Sequence, residues 1–161
     1  MVVKKKKGQP IMKLSNILRI SSVAVFLAAC NVEPVPINYG SENCNYCEMT
    51  IVDPRFGSEL VTTKGKVYTF DSIECLVDFL NKNMPESEQA RYVLVTPYLR
   101  PQNLVKASEL WYLHSKAYPS PMGKYLTAFE TRDEIIAEQK EHGGTVYTWE
   151  ELLKGFDNLN F

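Results

Sequence analysis

The apolar run that ends at Cys30 decides which residues are left to build a fold. Residues 1–29 carry six basic groups (Lys4, Lys5, Lys6, Lys7, Lys13, Arg19) and no acid, and their apolar residues gather at Ile17-Leu18, Ile20 and the run 23–29. A helix crossing the hydrocarbon core needs about 20 apolar residues, and this stretch is shorter and interrupted. It has instead the form of a secretory signal, with a basic start, a short apolar core and small residues before a cut. Met12-Lys13-Leu14 offers a start of normal length. The fold must therefore come from the residues beyond Cys30, and that part differs in charge. Taking the six leader cations from the 18 basic residues of the 161-residue chain leaves 12 against 19 acidic residues, a formal charge of −7. Such a body repels phosphate, so nucleic acid is not an expected partner. The chain is 45% apolar and 11% aromatic, which is globular rather than disordered composition and enough for one domain or two small ones.

Leu27-Ala28-Ala29-Cys30 resembles the bacterial lipobox, in which the Cys thiol takes a diacylglyceryl group and becomes the mature N-terminus. The alternative is a plain signal peptide with an incidental Cys. Each buried CH₂ contributes roughly 0.8 kcal/mol, so two or three acyl chains hold a folded body at a membrane surface. Residues 30–40 include Pro34, Pro36 and Gly40 with few large apolar groups and no period, which reads as an extended, lipidated tether. The folded body is expected to begin near Ser41.

Residues 58–63 and 66–70 alternate apolar and polar around Lys64-Gly65, the pattern of a β-hairpin. Asp71 or Ser72 can cap a helix whose apolar set is Ile73, Leu76, Val77, Phe79 and Leu80, ending before Pro85. Residues 91–96 read as a third strand. The order then recurs: strands at 109–115 and 124–129, a helix capped by Thr131, a stop at Gly143-Gly144 and a short strand at 145–147. Ser108-Glu109-Leu110 echoes Ser58-Glu59-Leu60. Thr148 with Glu151 makes a capping box for a last helix that buries Trp149, Leu152 and Leu153. The expected fold is α+β, two tandem ββαβ units at 41–105 and 106–161, after a signal peptide (1–29) and the tether. Each unit is too small to bury much alone, so the two should pack together.

Once Cys30 is set aside, three thiols remain, Cys44, Cys47 and Cys75, an odd number for an exported chain. Cys44-Asn45-Tyr46-Cys47 is ambiguous between a disulfide, half of a zinc site and a redox pair. No second C-x-x-C follows, and no His pair sits at zinc-finger spacing. Met49 lies two residues past Cys47. In an extended segment residues i and i+2 share a face, so the two sulfurs can converge. A thiolate with a thioether is a soft donor set that selects Cu(I); the bland alternatives are a core gap-filler for Met49 and a bridge to Cys44 for Cys47. Cys75 reads as a small hydrophobe within a helix. Met122, in Ser120-Pro121-Met122-Gly123, places a thioether on a stiffened loop with little core to fill. His114, nearer that loop, is a better candidate ligand than His142.

Cys44-Asn45-Tyr46-Cys47-Glu48-Met49-Thr50-Ile51 resembles the C-x-Y-C-x-M-x-I signature of the NosL family, the nitrous oxide reductase accessory lipoproteins. Phe70-Asp71 leading into a helix, Pro121-Met122-Gly123 and Leu126-Thr127-Ala128-Phe129 follow the same pattern, so the resemblance runs from about Cys44 to Leu153. It implies a lipid-anchored copper chaperone of the cell envelope, facing the periplasm. Its fold would be a tandem of ββαβ units. It would bind Cu(I) and supply it for the copper-sulfide centre of nitrous oxide reductase, with that enzyme or its assembly factors as partner. The family's ligands carry over to Cys47, Met49 and Met122, and the lipidated residue to Cys30. One departure is Glu48, where the family usually has Gly.

The leading expectation is thus a metal-transfer protein with no catalytic residues, in which an incomplete ligand shell favours handover and the acidic body steers docking onto a basic partner surface. The alternative is a thiol-disulfide oxidoreductase using Cys44 and Cys47.

Overall fold

A computed structural model describes residues 32–159. The expected signal peptide and the expected lipidation site, Cys30, lie outside the described residues.

Strands β1 (Ser58–Thr62) and β2 (Val67–Phe70) form the expected hairpin, with Ser58 opposite Phe70 and Val61 opposite Val67. Gly65, at φ +84°, supplies the left-handed turn position that a side chain resists. Helix α1 (Ile73–Asp78) follows, capped by Ser72, whose Oγ accepts from Cys75 N at 3.3 Å. A wider π turn, Phe79–Asn83, carries the helix on towards Pro85. Strand β3 (Ala90–Val95) pairs with β1, and the two-residue β4 (Val105–Lys106) pairs with β3. The first sheet therefore runs β2-β1-β3-β4, antiparallel throughout.

The second half repeats the order. Strands β5 (Trp111–His114) and β6 (Leu126–Phe129) pair, helix α2 (Arg132–His142) follows, and β7 (Thr145–Tyr147) returns beside β5, giving the sheet β6-β5-β7. Helix α3 (Trp149–Gly155) follows, and a 3₁₀ turn, Phe156–Asn158, continues it. Thr131 with Glu134 and Thr148 with Glu151 both complete capping boxes. The fold class is α+β as expected: among the described residues there are two antiparallel sheets and three α-helices. Leu60, Phe70, Leu76 and Val95 from the first half share one core with Tyr112, Leu126, Leu152 and Phe156 from the second. Each such side chain contributes roughly 1.5–3 kcal/mol by leaving water, and neither sheet has that partner surface alone. Among the described residues, no helix is long and apolar enough to cross a membrane.

Three local expectations change. The echo of Ser58-Glu59-Leu60 in Ser108-Glu109-Leu110 is out of register: Trp111 faces Phe129 as Ser58 faces Phe70, while Ala107–Glu109 form a 3₁₀ turn. The strand read from 124 starts only at Leu126, because Tyr125 sits at φ +58° and breaks the extended backbone. The packed body also starts before Ser41. Residues 32–38 have no regular structure, but Val32 and Ile37 are buried and Val35 N donates to Glu59 Oε1 at 3.1 Å. The prolines keep this segment extended, and its apolar side chains lay it as a strap over the first sheet. That cover explains why every residue of β1 is buried, polar ones included. Ser58 donates to Ser72 O towards α1, and Glu59 turns to the strap.

Candidate metal centre

The segment after the strap folds back on itself. Ile51 N donates to Glu42 O, Cys44 N to Met49 O at 2.8 Å and Glu48 N to Cys44 O at 3.0 Å. Residues 44–49 are therefore a tight loop, and the extended segment expected at Cys47–Met49 is corrected: a 180° alternation cannot hold where the backbone turns. Glu48 takes the turn at φ +65°, a left-handed conformation that favours glycine.

Asn45 fastens this loop to the free edge of β2. Its N donates to Thr69 O at 2.9 Å, and its Oδ1 accepts from Thr69 N at 2.7 Å. One residue thus fills both hydrogen-bonding positions of an edge strand. Two residues beyond Thr69, the chain leaves β2 at Asp71 and enters α1. Because Ser72 does the capping, the Asp71 side chain is released from the helix and turns to the loop.

The result is a cluster drawn from three places in the chain. One ligand atom each from Cys44, Cys47, Asp71 and Cys75 lie within 4.8 Å of one another, and all but Cys47 are buried. All three cysteines are free thiols. Cys47 Sγ donates to Asp71 Oδ2 at 3.5 Å, and the other oxygen, Oδ1, is buried with no hydrogen-bond partner. An ion that holds thiolates at about 2.3 Å sets its donors about 3.8 Å apart. A closure of at most about 1 Å brings the four atoms onto one ion.

Charge within the cluster is uneven. Cys44 is pulled down to about 6, first by the hydrogen bond from the Cys75 thiol, then by the backbone donors of Cys47, Asp71 and Tyr46 acting against burial. Burial pushes the Cys47 thiol up to about 11. Cys75 is raised well above its ordinary value, first because its proton is held by Cys44 and then by burial. Without a metal the cluster is one thiolate solvated by two thiols, beside a carboxyl group.

Cys47, the expected anchor, lies in this cluster. Asp71 and Cys75 were not singled out as ligands by sequence reasoning, which read one as a cap and the other as a hydrophobe. The signal available was the odd thiol count. Met49 is 46% exposed, with its N–H directed at the Cys47 sulfur. Met122 is 36% exposed on its loop. That loop is tied to α1, because Ser120 Oγ and Leu126 N both donate to Glu74 Oε1, beside Cys75. His114 is buried within β5, and His142 ends α2 beside Glu138, 3.5 Å away.

The NosL family model matches residues 34–155, which takes in most of the strap, the cluster and both sheets. The chain belongs to the NosL family. Its fold is similar to that of the crystal structure of the copper chaperone NosL from Shewanella denitrificans, with a TM-score of 0.63 at 24% identity, over 74% of this chain and 95% of that one. Curated proteins give no match. This NosL-family chain thus carries a Cys₃Asp group able to hold a metal, and the residues that build it all lie within the matched region.

Proposed function

We propose that this protein is a lipid-anchored copper chaperone of the cell envelope. It takes up Cu(I) at the thiol cluster and passes it on for assembly of the copper-sulfide centre of nitrous oxide reductase. The observation that carries the reading is the convergence of three free thiols and a carboxyl group, within 4.8 Å, on a mouth opened by Cys47. Soft thiolates select Cu(I) over hard divalent ions. Cys44 is already a thiolate near neutral pH and can capture the ion, while Cys47 and Cys75 bind by giving up protons. Asp71 Oδ2 stands where the Cys47 proton leaves.

Met49 and Met122 add neutral thioethers from exposed loops. In this reading they lend selectivity for the monovalent ion without the tight hold of further anions, which suits a cargo that must leave. The ion moves by ligand exchange: an incoming donor of the partner takes an open position before the thiolates let go. No bond in the cargo is made or broken, and the protein performs no turnover.

Anaerobic titration of the body with Cu(I) against a competing chelator tests the assignment. Cys47→Ser is expected to weaken binding at least about tenfold, a loss of about 1.4 kcal/mol, and unchanged affinity would end it. The thiol-disulfide oxidoreductase reading takes support from the Cys44 thiolate among two neighbouring thiols. Met49→Leu separates the two, because a chaperone loses Cu(I) affinity while disulfide exchange is unaffected.

A further inference from the structure

The strap touches the first sheet at three successive places. Val32 Cγ2 lies 3.5 Å from where a side chain on Gly65 would begin. Val35 N donates to Glu59 Oε1 at the second residue of β1. At Gly57 a Cβ would collide with Tyr39 Oη and come within 3.0 Å of Ile37 Cδ1. The strap therefore runs antiparallel to β1, entering at the β1–β2 turn and leaving at the opposite end of the hairpin. At that far end Phe70 faces Ser58, and Asp71, Ser72 and Cys75 follow. The chain enters the body at one end of the sheet and builds its thiol cluster at the other.

We infer that the anchored protein stands with its β1–β2 turn against the lipid surface and its thiol cluster directed away from it, towards a partner in the aqueous phase. This rests on the reading of Cys30 as the lipidated residue. Cys30 precedes buried Val32 by two residues, a reach of at most about 7 Å. A free tether of ten residues would allow about 33–36 Å and any orientation. The docked strap removes that freedom. The four steps along β1 at about 3.3 Å each set the two ends of the hairpin about 13 Å apart, so a short leash at the turn end leaves the cluster at the end remote from the anchor. The turn end carries Lys64 and Lys66, both exposed, with Lys66 shared with Glu88 at 3.7 Å. These cations suit phosphate headgroups, although Glu33 and Glu88 keep the patch from being strongly basic. A metal donor or acceptor embedded in the bilayer would meet the wrong end of the molecule.

The test uses the full chain, recovered with its acyl anchor and placed in nanodiscs of phosphatidylethanolamine and phosphatidylglycerol. Methyl resonances are compared with and without a headgroup-nitroxide lipid. Val32 and Val67, near the turn, are expected to broaden severalfold more than Met49, beside the cluster. Gly57→Val, which forces a side chain into Tyr39 and Ile37, is expected to erase that difference by freeing the strap. Val35→Pro, which deletes the donor to Glu59, should act in the same direction if the first variant folds poorly. Equal or greater broadening at Met49 in the unmodified protein overturns the orientation while leaving the anchor intact. A difference that survives both variants shows that the strap does not set the orientation, and overturns the inference. A chain recovered without acyl mass overturns the anchor reading and the orientation with it.

Discussion

Replacing Cys75 by alanine and by serine separates the hydrogen bond it makes from the space it fills. Cys75 is fully buried in the first turn of α1, and its thiol is the leading cause of the depressed Cys44. With Cys44 at about 6, roughly nine-tenths of it is thiolate near neutral pH. Without that donor it should return towards the ordinary cysteine value of about 8.5, leaving about 3% thiolate. Alanine removes the donor, while serine keeps an O–H in the same place. Cys75→Ser should therefore hold the low step in the thiolate absorbance, and Cys75→Ala should lose it. Both variants cost some packing, on the order of 1–2 kcal/mol for the alanine, which leaves the fold intact for an anaerobic, metal-free titration. The step belongs to the coupled set of thiols rather than to one residue, but Cys47, pushed up to about 11, titrates in a separate window. An alanine variant that titrates like the unmodified protein, or a serine variant that titrates like the alanine, would refute the account of the cluster as a thiolate held by its neighbours.

Glu48→Gly should be more stable than Glu48→Ala by about 1 kcal/mol in urea unfolding, because only glycine takes the left-handed turn without strain. Part of the gain is offset by glycine's greater freedom in the unfolded chain, and equal midpoints would show the turn to be unstrained. Glu59 is raised to about 7 by burial, against its ordinary 4.5. The unfolded chain ionises first as pH rises, so this residue favours the folded state fully below pH 4.5, and that contribution is lost between 4.5 and 7. Glu59→Gln should flatten this segment of the stability–pH curve, a change on the order of 1–2 kcal/mol once solvent screening is allowed for. An unchanged slope would show that Glu59 does not titrate in that window.

The hairpin, the helices with their caps at Ser72, Thr131 and Thr148, and the recurrence of the strand order were legible because each rests on local signals: period, turn glycines and capping spacing. The strap was not. Two prolines spoke for a tether, and only the sheet beneath shows that Val32 and Ile37 have somewhere to go. The site was half legible. Cys47 announces itself by spacing, but Cys75 keeps the helical period of an apolar face, and nothing local distinguishes a ligand from a core thiol there. Asp71 was hidden by its neighbour. Both Asp71 and Ser72 can cap a helix, and only the structure shows that Ser72 does so, which leaves the carboxyl group for the thiols.

Cys75 occupies the third position of its helix, counted from the cap. In α2 and α3 the same slot holds Glu134 and Glu151, each reaching back to close its capping box. The first helix forgoes that reciprocal bond and puts sulfur in its place. One architectural slot thus serves scaffold duty twice and chemistry once. Restoring a glutamate there would trade reactivity for rigidity, and the shortest of the three helices, six residues before its π turn, is the one that carries the compromise.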